Sequence, residues 1–232
     1  MNNKNKKFWA FKAIDEKTGE LLLYEEIANY TWYGDEITPK QFKLELDALG
    51  DIKYLNIYFN SPGGDVFAGH SIFTILKRHP AYKIGYIDGV AASIASLVAM
   101  ACDKIIMYPN TMMMIHLPWT RGEGNAIYFR KLAEDLDKVG ESMIAAYKQK
   151  TGLDEDKIRK IMETESWFTA KDCLELGFAD EIDTSKQVAA CISEKYLAMY
   201  KNIPEILKKP PEEVKNQEEE LLKQKILIEL EL

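Results

Sequence analysis

Residues 54–80 read YLNIYFNSPGGDVFAGHSIFTILKRHP and hold one complete strand–turn–helix unit. Leu55, Ile57 and Phe59 alternate with Tyr54, Asn56 and Tyr58, the period-two pattern of a strand with one buried face. Asn60-Ser61-Pro62-Gly63-Gly64-Asp65 then breaks the strand sharply. Val66, Gly69, Phe73 and Leu76 fall near one face of a helix that stops at His79-Pro80, because proline cannot continue it.

The same unit recurs on either side. Downstream, residues 83–88 predict a strand, Gly89 a turn and residues 91–101 a helix of small apolar residues. Strands follow at 104–108 and 112–116, divided by Pro109-Asn110. A long amphipathic helix over 125–150 carries Leu132, Leu136, Val139, Met143 and Tyr147 on one stripe and ends at Thr151-Gly152. A short helix from Asp154, a strand at Trp167-Phe168, and a helix capped by Thr169 with Asp172 and ended by Gly177 complete the pattern. Upstream, 7–14 and 21–27 read as strands around the turn at Lys17-Thr18-Gly19. Thr38-Pro39-Lys40-Gln41 opens a helix through a capping box. Alternating strands and helices define an α/β class. The domain is expected over residues 1–190. Beyond it, 191–232 is a charged extension, helical or disordered, whose Glu/Lys/Leu-rich composition favours a solvated tail over a packed element.

Composition narrows the function. The 232 residues suffice for one sizeable domain, and the net charge is −7 with no basic stretch interleaved with aromatics, which argues against nucleic acid. The three cysteines, Cys102, Cys173 and Cys191, are far apart and form no C-x-x-C pair, so neither a disulfide framework nor a zinc site is expected. No signal-peptide core follows the basic N-terminus. The longest apolar run, 89–101, is too short to span a bilayer. A cytoplasmic setting, without membrane association, is the expectation.

Three histidines limit the choice of general base. His70 lies within a helix, and His79 sits at a helix C-terminus, where a protonated imidazole would suit the dipole. His116 ends an apolar strand and enters a loop, where catalytic groups are often displayed. Ser93 begins the helix of small residues, so it reads either as an N-cap or as a nucleophile beside free backbone N–H groups. Its surroundings lack the G-x-S-x-G pattern. Ser96, deeper in that helix, is expected to bond backbone carbonyls. Ser61-Pro62-Gly63-Gly64 reads either as a tight turn or as a backbone cradle for a ligand, without the pattern of a phosphate loop.

Four segments occur in order: NSPGGDVFAGHSIFTIL, GVAASIASLVAMA, MMMIHLPW and ESWFTAKDCLELGFADEI. Together they resemble the proteolytic subunit of the Clp protease (ClpP) over roughly residues 20–185. WYGDEITPKQFKLELDALGDI and MMMIHLPWT are similar to the Clp-like peptidases of phages and prophages associated with head maturation. The resemblance implies a ClpP/crotonase-type superhelix of strand-strand-helix units, with the 125–150 helix as a projecting handle. It implies Ser93 as nucleophile, His116 as base, and the Gly64 and Ile94 N–H groups as the oxyanion hole. Aligning Trp167-Phe168-Thr169-Ala170 puts Glu165 at the third triad position, where the better-known bacterial enzymes carry aspartate; Asp172 and Asp180 are its competitors. No metal or organic cofactor is implied. The expected partners are copies of the chain in one ring or two stacked rings, and protein substrates such as capsid or scaffold protein. An AAA+ unfoldase is compatible with the family and not required. The competing readings are a crotonase-type acyl-CoA enzyme, a Ser/Lys signal-peptide peptidase, and an inactive scaffold of the same fold.

Overall fold

The computed structural model describes residues 7–29, 38–185 and 200–204. Strands β1 (Trp9–Ala13) and β2 (Thr18–Tyr24) form an antiparallel hairpin whose turn is fixed by Asp15, which accepts from the Lys17 N–H at 2.7 Å. Helix α1 (Pro39–Asp47) starts on Thr38, whose hydroxyl accepts from the Gln41 N–H at 3.2 Å. Only half of the expected capping box is present: the Gln41 side chain donates to Glu45 instead.

Strand β3 (Tyr54–Ser61) buries Leu55, Ile57 and Phe59 completely, as its alternation requires. Helix α2 (Val66–Arg78) follows, capped by Asp65, whose carboxylate accepts from the Ala68 N–H at 2.7 Å. Next come β4 (Tyr82–Ala92), α3 (Ile94–Ala99), β5 (Lys104–Met107) and β6 (Met112–Ile115). Helix α4 (Ala126–Thr151) begins on the Asn125 cap and ends at Gly152 in the left-handed region. Helix α5 (Glu155–Glu163), β7 (Ser166–Thr169), α6 (Ala170–Leu176) and β8 (Glu181–Ile182) complete the order. The capping box at Thr169 and Asp172 is fully formed.

The eight-stranded sheet runs β1-β2-β3-β4-β5-β8 with β6 and β7 branching from β4; it is parallel except for the β1–β2 and β6–β7 pairs. One hydrophobic core joins Leu21, Leu23, Ile57 and Phe59 to Phe42 and Leu46 of α1 and Ile72 and Leu76 of α2. Helices α2 and α3 touch closely because Gly69 has no side chain: a Cβ there would lie 2.2 Å from Ile94 Cγ1.

Strand β4 forks, and this positions the site. Its first half pairs with β5, Ile84–Ile87 against Lys104–Met107. Its last residues pair with β6, Val90, Ala91 and Ala92 against Met112, Met113 and Met114. On the β3 side the register advances two residues, Phe59 to Ser61, while β4 advances four, Ile87 to Ala91. This bulge re-aims the end of β4. The fork corrects the sequence reading in two respects. Gly89 lies inside the strand rather than at its end, and α3 starts at Ile94 rather than near residue 91. A short apolar run has no period by which to distinguish strand from helix, and pairing with β6 decides it here.

The first half of α4 projects. Residues 126–131 are exposed, with Ile127 at 74%, whereas Gly140, Met143, Ile144, Ala146 and Tyr147 are buried. Within the extension expected at 191–232, residues 200–204 are described: Tyr200 and Ile203 pack on the domain while Lys201 and Asn202 are exposed; the rest lies outside the described residues. Among the described residues no helix is long and apolar enough to cross a membrane.

Candidate active site

The Ser61-Pro62-Gly63-Gly64 turn is fastened from both sides. The buried Ser61 hydroxyl donates to the Glu25 carbonyl at 2.6 Å and accepts from the Gly63 N–H at 3.2 Å. Ile27 N–H donates to the Gly63 carbonyl and Asp65 N–H to the Ile27 carbonyl, each at 2.7 Å. Gly64 sits at φ 143, where a Cβ would lie 2.0 Å from the Ile27 carbonyl oxygen, so only glycine fits. A Cβ on Gly63 would lie 2.7 Å from Ser93 Cβ and 3.2 Å from the Ile94 nitrogen, which puts this turn directly against Ser93.

Ser93 occupies the sharp junction between β4 and α3 with φ 53 and ψ −129, a region costly for a residue with a side chain. Its N–H donates to the Met114 carbonyl at 2.9 Å, tying the junction to β6. Its hydroxyl caps nothing. Instead it lies 2.7 Å from His116 Nε2, so the N-cap reading is replaced by a side-chain pair. This is a sharp strand-to-helix elbow that displays the hydroxyl, built without the G-x-S-x-G sequence. Ser96 stays structural: it donates to the Ser93 carbonyl at 2.6 Å and contacts the Tyr147 hydroxyl at 2.8 Å.

His116 is displayed at the end of β6, and the next residue is fixed by a bond from the Leu117 N–H to the Met162 carbonyl at 3.0 Å. Burial depresses the imidazole pKa below its ordinary 6.5, and the Glu165 carboxylate partly opposes that. A neutral ring can accept the Ser93 proton. The other histidines have structural partners. His70 Nε2 meets the Ser142 hydroxyl at 3.2 Å. His79 Nδ1 accepts from the Ala81 N–H at 3.3 Å, and its pKa too is lowered by burial. His79 is thus neutral, not the cationic helix end the sequence implied.

Of the three acids, Asp172 is committed to the Thr169 cap. Asp180 accepts from the Ile105 N–H at 2.6 Å and from Lys150 at 2.7 Å. Glu165, at φ 48 just before β7, is the carboxylate whose charge His116 feels. No hydrogen bond joins it to His116. Its Oε1 accepts instead from the backbone N–H groups of Lys201 and Asn202, at 2.8 and 2.7 Å. A cleft of about 460 Å³ opens beside His116, lined by Pro118, Trp119, Arg121, Thr164 and Glu165 among others.

The family model described as Clp protease matches residues 18–186. The chain belongs to the Clp protease family. This Clp-family chain is 32% identical over 148 residues to the ATP-dependent Clp protease proteolytic subunit 2 of Treponema denticola, covering 62% of the chain and 73% of that protein. It is also 32% identical over 168 residues to the ATP-dependent Clp protease proteolytic subunit of Bdellovibrio bacteriovorus, covering 70% and 76%. Its mixed α/β architecture is that of the family, and in class it is a Clp-type serine endopeptidase.

Sequence reasoning missed two contributors to this Clp site. Ser61 fastens the glycine turn, and a serine ahead of Pro-Gly-Gly was the available signal. Tyr200 stands edge-on to His116, ring centroids 5.7 Å apart, and edge-on to Trp167 at 5.7 Å. Nothing local in the sequence marks it.

Proposed function

We propose that this Clp-family chain hydrolyses peptide bonds with Ser93 as nucleophile and His116 as general base. The 2.7 Å contact between His116 Nε2 and Ser93 Oγ carries the reading. His116 takes the hydroxyl proton while Oγ attacks the substrate carbonyl, a form of help worth roughly 10²–10⁴ in rate. The N–H groups of Gly64 and Ile94 hold the developing oxyanion, where one donor is worth about 10²–10³. Support for them is that neither donates to a backbone acceptor in the turn or cap that holds it. His116 then protonates the leaving amine, and water resolves the acyl-enzyme. Glu165 is the acid of the triad, orienting the imidazole; to do so its carboxylate must turn toward His116 from a position where Oε1 holds the Lys201 and Asn202 N–H groups.

The chain works as a ring-shaped homo-oligomer on protein substrates, with the projecting half of α4 in the subunit contact. Its substrates are capsid or scaffold proteins of an assembling phage head. Support for this is the likeness of residues 32–52 and of MMMIHLPWT to phage Clp-like peptidases.

A fluorophosphonate probe should modify Ser93. Ser93→Ala should abolish both labelling and peptide cleavage, and native mass measurement should give a multiple of the 26.6 kDa chain. Cleavage retained by Ser93→Ala would remove Ser93 from the mechanism. His116→Ala should reduce turnover by about 10²–10⁴ while the assembly mass holds.

A further inference from the structure

Residues 200–204 are joined to the site by several separate contacts. The Tyr200 phenol donates to the Pro62 carbonyl, inside the Ser-Pro-Gly-Gly turn. That turn lies directly against Ser93: a Cβ on Gly63 would be 2.7 Å from Ser93 Cβ. Its ring lies against both His116 and Trp167, and together with Ile203 it covers an apolar patch of Val90, Ala92, Met112 and Met114. The backbone N–H groups of Lys201 and Asn202 occupy Glu165, and the Asn202 side-chain amide donates to the Thr164 carbonyl at 3.1 Å.

Two of these contacts engage groups that the proposed mechanism uses, the His116 ring and the Glu165 carboxylate. A phenol bonded to the Pro62 carbonyl, on a ring packed against His116, stands between the glycine turn and the imidazole, where a substrate carbonyl would have to enter. Glu165 Oε1 is taken up by two backbone N–H groups, and no hydrogen bond joins the carboxylate to the imidazole. We propose that residues 200–204 form an intramolecular strap that holds the site closed, with Tyr200 as the plug over Ser93 and Glu165 as the latch. The inference rests on the reading of Ser93 and His116 as the catalytic pair. The Trp167 indole N–H, on the ring that Tyr200 packs against, is buried with no acceptor among the described residues, an unmet donor of the kind that costs stability. A peptide that offers its own backbone N–H groups to Glu165 and Thr164 competes directly with the strap.

The test uses the full chain and two independent readouts: the rate of Ser93 modification by a fluorophosphonate, and the rate of His116 carbethoxylation by diethylpyrocarbonate, with His70 and His79 as internal references. Tyr200→Ala should raise both rates by about tenfold or more, from the loss of one buried aromatic ring. Tyr200→Phe keeps the ring and loses the hydroxyl, and should give a smaller rise. Lys201→Ala should leave both rates unchanged, because only its backbone N–H is used. Equal rates in the native chain, Tyr200→Ala and Tyr200→Phe would overturn the strap while leaving the peptidase intact. A rise at His116 with Ser93 unlabelled in every variant would uphold the strap and overturn the nucleophile.

Discussion

His116 can serve as a base at neutral pH because burial makes its cation costly. The sign of the pH dependence follows. With the imidazole pKa below 6.5, the proton-accepting form is already dominant at pH 7 and is lost only on acidification. We expect kcat/KM to be flat through neutrality and to fall on the acid side with a midpoint below 6.5. Since Glu165 raises the His116 pKa, Glu165→Gln should move that midpoint to still lower pH. A pH–rate profile in both forms checks this; an acid limb centred above 6.5 would assign the titration to another group. At this scale the sequence is legible for residue type more than for role. Ser93 and His116 could be singled out as a hydroxyl and an imidazole at element ends. What sets the cap reading aside is the 2.7 Å approach of His116 Nε2 to the Ser93 hydroxyl, a pairing across 23 residues that no local pattern carries.

Between elements, the tightest fit is α2 on α3. Helix α3 carries Ile94, and Gly69 on α2 leaves room for that side chain. Gly69→Ala would place a methyl 2.2 Å from Ile94 Cγ1, so one helix must shift. Overpacking of this kind costs about 1–3 kcal/mol, which denaturant unfolding would register. Because the shift displaces the Ile94 N–H, kcat should fall by more than KM changes. A KM effect alone would argue that Ile94 does not serve the transition state. Most elements were legible from the sequence: β3 from its alternation, α2 from its apolar face and the His79-Pro80 stop, α6 from its cap, α4 from its stripe and Gly152. The β4–α3 boundary was not, because Val90-Ala91-Ala92 is equally apolar in either form and its partner, β6, lies more than twenty residues onward.

Over the whole molecule, the projecting half of α4 leaves Ile127, Tyr128 and Phe129 in solvent, an apolar cluster that a lone subunit does not cover. If copies of the chain bury it, Ile127→Asp with Phe129→Asp should lower the native assembly mass while helix content by circular dichroism stays unchanged. An unchanged mass would place the subunit contact elsewhere. The packing of residues 200–204 could not be foreseen at this scale. Composition marks the extension as charged, and the contacts that hold Tyr200 reach back 138 residues to Pro62. No windowed pattern carries such a pairing.

The bulge in β4 has a consequence for how this chain can vary. Side chains on a strand alternate faces, so a backbone displaced by a single residue presents every following group to the opposite side. Ser93 hangs immediately beyond a strand end whose offset is set by Asp88 and Gly89. Losing or gaining one residue between Ile87 and Val90 would leave every reactive group in place in the sequence and turn the hydroxyl away from the imidazole. Length at that point is constrained by parity, so homologous chains should tolerate changes of side chain there far more readily than changes of count.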